Sequence, residues 1–379
     1  MFEINKLKNL LFYAAIIFGM IACDSYPSGV PEVENVTISL SNVYPRNGEE
    51  ISTRLVGNLD DFVSVAWDFG DGTTSNDAAT TKKYTKDGVY RISVTYQTKS
   101  SEVISKWIMV KVSGQALSEA IKSLEANPSK VWVMAHRGNT ENKTIPENSL
   151  RAMEASIAAK VDVMEIDTHI TKDGVVMVCH DETIDRTTTG RGKIPELTFD
   201  QIRSYKLRDR NGNATNDVMP TLQEMLEAGR GRIFFNLDYS PRTASTEQVY
   251  KVVQDCGMIE GVFFYTGSIN SYMKDLFSMN KNCHPYAWGG SQTNYEPSQN
   301  RGRKFFVQLD FKDVGSNAQA TCLRNGMLLS FNVLSADFED PFQSGDYRIV
   351  ESLINAPARM IQTDIPLGLI KYLEEKGYR

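Results

Sequence analysis

The strongest constraint on this chain is a recurrence. From Val131 onward, eight apolar runs (VWVMAH, VDVMEID, RIFFNLD, VFFYTG, HPYAWG, KFFVQLD, MLLSFNVL and RMIQTD) alternate with stretches of helical periodicity such as PENSLRAMEASIAAK and TLQEMLEAG. Short strand-like runs separated by amphipathic helices build a parallel sheet, and eight such units in about 250 residues predict an α/β TIM barrel. A further run, VVMVCH, follows VDVMEID and its His169-Ile170 extension after only Thr171-Lys172-Asp173-Gly174. That spacer is too short for a parallel crossover, so the run is expected to fold back as an antiparallel hairpin outside the barrel. Pro146 is expected in the first turn of the helix that follows it. Barrels of this kind keep their chemistry at the C-terminal ends of the strands. Those ends carry His136, Arg137, Glu165 and Asp167, with His180 closing the excursion.

Glu165 and Asp167 are two apart on one strand, so both carboxylates leave the same face. Two such charges repel unless a cation lies between them, and a hard divalent ion with oxygen ligands is the natural occupant. A turn centred on Lys172-Asp173 would set His180 opposite Glu165 on that face. Arginine grips phosphate or carboxylate through parallel hydrogen bonds, and paired histidines suit general acid and base at neutral pH. The combination points to cleavage of a phosphodiester. Asp181 should point away from His180 by alternation, and Asp185 to Thr188 should form an ordered loop in which Arg186 is structural. His169 and His284 are read as structural, Lys172 as a solvated turn residue, and Asp310 and Asp364 as further strand-end carboxylates.

The order HRG, PEN, E-x-D, TKDG, then HD followed by DRTT is similar to the glycerophosphodiester phosphodiesterase family, over roughly the last two-thirds of the chain. The resemblance implies a TIM barrel, one Ca²⁺ or Mg²⁺, catalytic His136 and His180, phosphate-binding Arg137, and metal ligands Glu165 and Asp167. Asp238, in Asn236-Leu237-Asp238-Tyr239-Ser240, matches a third ligand in a family pattern like N-I-E-I-K, with Ser240 in place of the lysine. Asp364 fits a closing T-D-x-P of structural type, and Trp288 is a candidate substitute for the family's apolar pocket wall. The implied reaction is metal-dependent hydrolysis of a glycerophosphodiester to glycerol 3-phosphate and an alcohol, with the two histidines as acid and base. Two other readings stand beside it: a phosphodiesterase acting on glycerophosphoinositol or lipid substrates, and a non-catalytic surface-binding protein on a barrel scaffold.

Ahead of the barrel, Lys6 and Lys8 precede the apolar run LLFYAAIIFGMIA, which ends at Cys23. The run is short for a membrane span and fits a secretory signal. Met20-Ile21-Ala22-Cys23 resembles a bacterial lipobox, which implies a signal peptide over 1–22, lipidation of Cys23, a tether over 23–32, and a membrane-anchored protein of the cell envelope outside the cytoplasm. Residues 33–113 contain short alternating runs broken by turn residues, as in an all-β, immunoglobulin-like sandwich. Trp67-Asp68-Phe69-Gly70-Asp71-Gly72, followed by Tyr84-Thr85-Lys86-Asp87-Gly88-Val89-Tyr90, resembles the polycystic-kidney-disease-type (PKD) domain, which implies a spacer or a protein or carbohydrate contact module. Asp68 and Asp71 are assigned to turn chemistry. Over 114–130, Leu117, Ile121 and Leu124 recur at near-helical spacing, so the connector is expected to be a helix packed on the barrel. The sandwich carries none of the candidate ligands, so a fragment beginning near Ser118 and running through the barrel, 131–379, is expected to fold alone.

A formal charge of -6 and the lack of a basic run argue against a nucleic acid partner. The remaining cysteines form no C-x-x-C pair, which disfavours zinc; Cys179 is read as core, and a Cys256–Cys283 bridge is compatible with a location outside the cytoplasm. Replacing Cys23 by serine is expected to move the protein from the membrane to the soluble fraction without altering its melting temperature. Equal retention of both proteins on fractionation would remove lipidation.

Overall fold

The computed structural model describes residues 36–57, 59, 62–238, 242–266, 276–289, 305–334 and 342–379. Cys23, its preceding apolar run, the tether and Ser240 lie outside the described residues. The amino-terminal strands are β1 (Thr37–Leu40), β2 (Glu50–Val56), β3 (Phe62–Asp68), β4 (Thr74–Ser75), β5 (Ala79–Lys83), β6 (Gly88–Thr98) and β7 (Val103–Val112). They pair antiparallel as two sheets, β1-β2-β5 and β4-β3-β6-β7. Alternation along the strands turns Ile51, Leu55, Trp67, Ile92, Val94, Tyr96 and Val110 into a common core. Asp68 and Asp71 accept the backbone N–H groups of Gly70 at 2.8 Å and Thr73 at 3.2 Å, the turn chemistry expected of them.

The eight apolar runs are the eight barrel strands. In the element order, β8 (Trp132–Ala135), β9 (Val163–Ile170) and the short β10 (Val176–Val178) are followed by β11 (Phe234–Asp238), β12 (Val262–Thr266), β13 (His284–Trp288), β14 (Phe306–Asp310), β15 (Leu328–Val333) and β16 (Ala358–Thr363). All but β10 pair in parallel, and β8 pairs with both β16 and β9, which closes the barrel. β10 is the expected antiparallel excursion on β9, but its register differs from expectation. Val178 pairs with Thr168, so the register carried two residues further sets His180 level with Ile166, not Glu165. The cause is an odd loop: Thr171 and Val175 close a three-residue Lys172-Asp173-Gly174 connection, with Gly174 at φ 86°. His180 therefore lies beyond the end of β10 and reaches the mouth by way of a loop.

The helix Leu150–Ala158 starts later than expected. Ser149 caps it by accepting the Ala152 N–H at 3.0 Å, and Pro146 lies ahead of the cap, its carbonyl accepting the Ser149 hydroxyl at 2.7 Å. The insertion after His180 has a small core of its own, built from Met177, Cys179, Ile184, Ile194, Ile202, Leu207 and Met219. Its helix is a single turn, Phe199–Arg203, with a capping box at Thr198 and Gln201. Cys256 and Cys283 are buried thiols rather than a bridge, and Cys179 is core as expected.

The connector helix, α1 (Leu117–Glu125), does more than pack beside the barrel. Leu117, Ile121 and Leu124 join a cluster with Met134, Val163, Phe263, Tyr286, Phe306 and Met360, which stand on six different barrel strands. α1 thus plugs the N-terminal end of the barrel, and each of its three buried aliphatic side chains contributes about 1.5–3 kcal/mol. The β1–β2 loop docks beside it. Arg46, only 2% exposed, donates to the Ile233 carbonyl at 3.1 Å and lies 4.8 Å over the Phe234 ring. Asn42 donates to the Gly257 carbonyl at 3.0 Å, and Ser118 N–H donates to Glu260 at 2.9 Å. At the tightest point a Cβ on Gly114, at φ +68°, would lie 2.4 Å from the Gly231 Cα. A fragment beginning at Ser118 would lack Leu117 and every Arg46 contact with the barrel.

Glu49 anchors the docking loop by accepting from Asn42 Nδ2 and the Arg46 N–H, both at 2.9 Å. Burial pushes its carboxyl up from the ordinary 4.5 to about 7. The folded protein keeps a proton that the unfolded chain has released, so this group's contribution is present below 4.5 and lost as pH rises toward about 7. Urea midpoints are expected to fall across that window in the wild type and to fall less in Glu49→Gln. Parallel curves for the two proteins would contradict this.

Candidate active site

The tripeptide His136-Arg137-Gly138 follows β8 and turns sharply. Arg137 sits at φ 54°, a conformation non-glycine residues take only when their surroundings impose it, and this aims its N–H at Glu165 Oε2, 2.9 Å away. Gly138, at φ +86°, packs so closely that a Cβ there would lie 2.7 Å from the Ala152 Cβ. Only glycine fits without displacement, which explains the end of the HRG motif. Asn148, also left-handed at φ 52°, donates from Nδ2 to Asp167 at 2.8 Å.

In-register pairing of β9 with β11 sets Asp238 beside Asp167. Glu165, Asp167 and Asp238 bring one carboxylate oxygen each within 4.8 Å of the others. They line a cavity of about 110 Å³ at the C-terminal mouth, together with His136, His180, Asn236, Tyr265 and Arg242. Burial raises the Glu165 carboxyl well above its usual range, and the charges of Asp167 and Asp238 push it the same way. Asp238 is raised by burial too, with Asp167 adding and Arg242 opposing. Among the described residues, Asp238 Oδ1 and Asn236 Oδ1 are buried without a donor. A divalent cation fits this donor set: the ligands are hard oxygens, they converge, and they are short of positive charge.

The histidines flank the triad, and each is held from behind. His136 Nδ1 lies 2.8 Å from Asp364 Oδ1, and His180 Nδ1 lies 2.7 Å from Asp181 Oδ1. In the neutral ring each Nδ1 therefore carries the proton, leaving Nε2 to exchange one at the cavity. Burial alone would raise Asp364, but the hydrogen bond with His136 outweighs it and the carboxyl is lowered. Asp181 is held well below the carboxylate range, first by Arg186 and also by His180. Arg186 in turn grips Glu147 through two bonds, at 2.7 and 2.9 Å. Glu147 accepts from Arg137 at 3.1 Å, so one chain of ion pairs runs from His180 to the back of the acidic triad. The expectation that Asp181 points away from His180 is thus corrected: beyond the last β10 pair, alternation no longer governs direction. Asp364 bonds the His136 ring at the cavity rather than serving only to close the barrel.

All of His136, His180, Glu165, Asp167 and Asp238 meet at the cavity. Arg137 stands behind the carboxylates, with Nε 3.6 Å from Asp167 Oδ2. The cation at the cavity wall is Arg242, which donates to Asp238 Oδ2 at 2.9 Å and also to Asp167 and the His180 carbonyl. The sequence held no pattern that singled Arg242 out. Signals for Glu147 and Asn148 were present in the PEN motif, although their roles were not. Asp310 caps the turn Phe311–Asp313 and pairs with Lys312 at 3.2 Å, and Trp288 ends β13 half-buried. His169 bonds Thr243 and the His180 carbonyl, and His284 bonds Glu260, both structural as expected.

Fold and site together define a (β/α)₈ barrel with an acidic triad and two carboxylate-held histidines at its catalytic face. Comparison with known proteins adds what each part resembles. Residues 136–286 match the model of the Glycerophosphoryl diester phosphodiesterase family and residues 44–111 that of the PKD domain. The chain is 37% identical over 99 residues to a glycerophosphodiester phosphodiesterase of Caldanaerobacter subterraneus subsp. tengcongensis, covering 26% of this chain and 40% of that protein. It is 35% identical over 101 residues to human Glycerophosphodiester phosphodiesterase 1, covering 25% and 29%. The matched segment thus spans well under half the length of these relatives. A crystal structure of a glycerophosphoryl diester phosphodiesterase from Parabacteroides distasonis shares the fold, with TM-score 0.61 and 21% identity over 70% of this chain and 93% of that one. One from Agrobacterium tumefaciens gives 0.52 and 20% over 64% and 99%.

Asp364→Asn is expected to leave the fold intact and abolish the preference for Nδ1–H on His136, read from imidazole ¹⁵N shifts. An unchanged His136 tautomer would show that the carboxylate does not set it.

Proposed function

We propose that this protein hydrolyses glycerophosphodiesters to glycerol 3-phosphate and an alcohol, with Glu165, Asp167 and Asp238 holding one Ca²⁺ or Mg²⁺. The observation that carries the reading is the pair of histidines, each fixed at Nδ1 by its own carboxylate and flanking one acidic triad. The ion, when bound, neutralises charge on the phosphoryl oxygens. The residues supply the rest. One Nε2 takes the proton from the attacking water as the new O–P bond forms. Where a neighbouring glycerol hydroxyl attacks instead, the first product is a cyclic phosphate, which water opens in a second such step to give glycerol 3-phosphate. The other Nε2 gives a proton to the departing alcohol as the old P–O bond breaks. Asp181 and Asp364 stabilise whichever ring is cationic, and Arg137 braces the triad from behind through its N–H on Glu165 and its guanidinium beside Asp167. Secretion and anchoring through Cys23 belong to the same proposal, with the substrate reaching the protein outside the cytoplasm.

The test is product analysis on a panel of glycerophosphodiesters, glycerophosphoinositol and intact phospholipid, with each metal added separately. Glycerol 3-phosphate is expected from the small diesters in a metal-dependent manner. His136→Ala and His180→Ala are expected to lower turnover by roughly two to four orders of magnitude, the worth of a positioned acid or base, with metal affinity and melting temperature retained. Either variant turning over at the wild-type rate would refute the two-histidine mechanism, and lysophospholipid as the main product would redirect the substrate assignment.

A further inference from the structure

Arg242 occupies a position that a divalent ion would contest. Its side chain, 15% exposed, donates from one terminal nitrogen to both Asp167 Oδ1 and Asp238 Oδ2, two of the three carboxylates of the triad. Those carboxylates are the ligands a cation would need, and neither oxygen can face an ion closely while it accepts from the guanidinium. Glu165, the third, takes the Arg137 N–H. With the Arg137 guanidinium behind Asp167, two positive charges face three carboxylates. Among the described residues, Arg242 Nε is itself buried without an acceptor. The guanidinium is therefore only partly satisfied where it sits, and it lines the same small cavity as His136 and His180.

We infer that Arg242 is a resident counter-ion of the metal site: it holds Asp167 and Asp238 together in the absence of metal, is displaced from them when a divalent ion binds, and then offers its fork to the phosphate of the substrate. The second half rests on the phosphodiesterase reading; the first does not. An arginine released from two carboxylate oxygens prefers another planar pair of anionic oxygens, and the phosphoryl group between the two histidines presents one. The same side chain would then stabilise the empty site, tune its metal affinity and contribute to phosphate binding.

Calorimetry with Mg²⁺ and Ca²⁺ tests the exchange without turnover. Removing a competing charge-assisted contact is expected to tighten metal binding by roughly tenfold or more in Arg242→Gln. The melting temperature in chelator should drop, and the gap to wild type should close when metal is saturating. Unchanged or weaker metal binding by the variant overturns the counter-ion role. Inorganic phosphate, titrated at saturating metal, reads the second half: a loss of roughly tenfold in affinity is expected, and equal affinity confines Arg242 to the triad. If Arg242→Gln does not fold, Arg242→Lys serves instead, since a single ammonium lacks the planar fork; phosphate affinity equal to wild type in that variant overturns the phosphate role. A protein that binds metal and phosphate as described yet cleaves no glycerophosphodiester would refute the functional reading while leaving the exchange intact.

Discussion

Three carboxylates crowded within 4.8 Å at the mouth of a barrel are a standing electrostatic cost, and most of the surrounding architecture answers it. The left-handed turn at Arg137 points a backbone donor at Glu165, Asn148 donates to Asp167, and Arg242 spans Asp167 and Asp238. None of these neutralises the site. A bound divalent cation, as proposed above, would offset that cost. The strained backbone and the raised carboxyls are thus two expressions of one constraint.

Around that centre the ionisable groups are sorted by partner rather than by burial alone. Glu147, nearly as inaccessible as Glu165, is held low because Arg186, Arg137 and Arg210 outweigh the effect of burial, whereas Glu165 has neighbouring carboxylates and is pushed up. The two histidines share one design, a carboxylate behind and an open nitrogen ahead, but reach it from unrelated elements. Asp364 comes from the end of β16, across the seam where the barrel closes, while Asp181 is the residue next to His180. One dyad therefore depends on barrel closure and the other on a local loop braced by Arg186.

Much of this was legible in the sequence. Eight apolar runs gave eight strands because side-chain burial in a parallel barrel is uniform enough to be read from composition. The five residues that meet at the cavity were found because they sit in or just after apolar runs, near the strand ends where the fold places chemistry. What escaped depends on the third dimension. The hairpin register slipped by one because a three-residue loop with a left-handed Gly174 is one residue longer than the tight turn assumed. Asp181 and Asp364 were assigned by alternation and by motif, neither of which describes a side chain past the end of its strand. Arg242 follows β11 at a spacing that belongs to no motif, and only the folded chain brings it onto the triad. The plug formed by α1 was visible as a helix but not as a stopper, since periodicity reports that a face is buried and not what buries it.

The docking of the sandwich also fixes a direction. β1 leads into the loop whose Asn42 and Arg46 touch the barrel's N-terminal end, so the chain enters the sandwich from its far side and meets the barrel at the end opposite the cavity. Arg46, α1 and the close approach of Gly114 to Gly231 make that joint stiff. The sandwich and the cavity thus lie at opposite ends of the barrel, so a molecule reaching the acidic triad does not have to pass the sandwich.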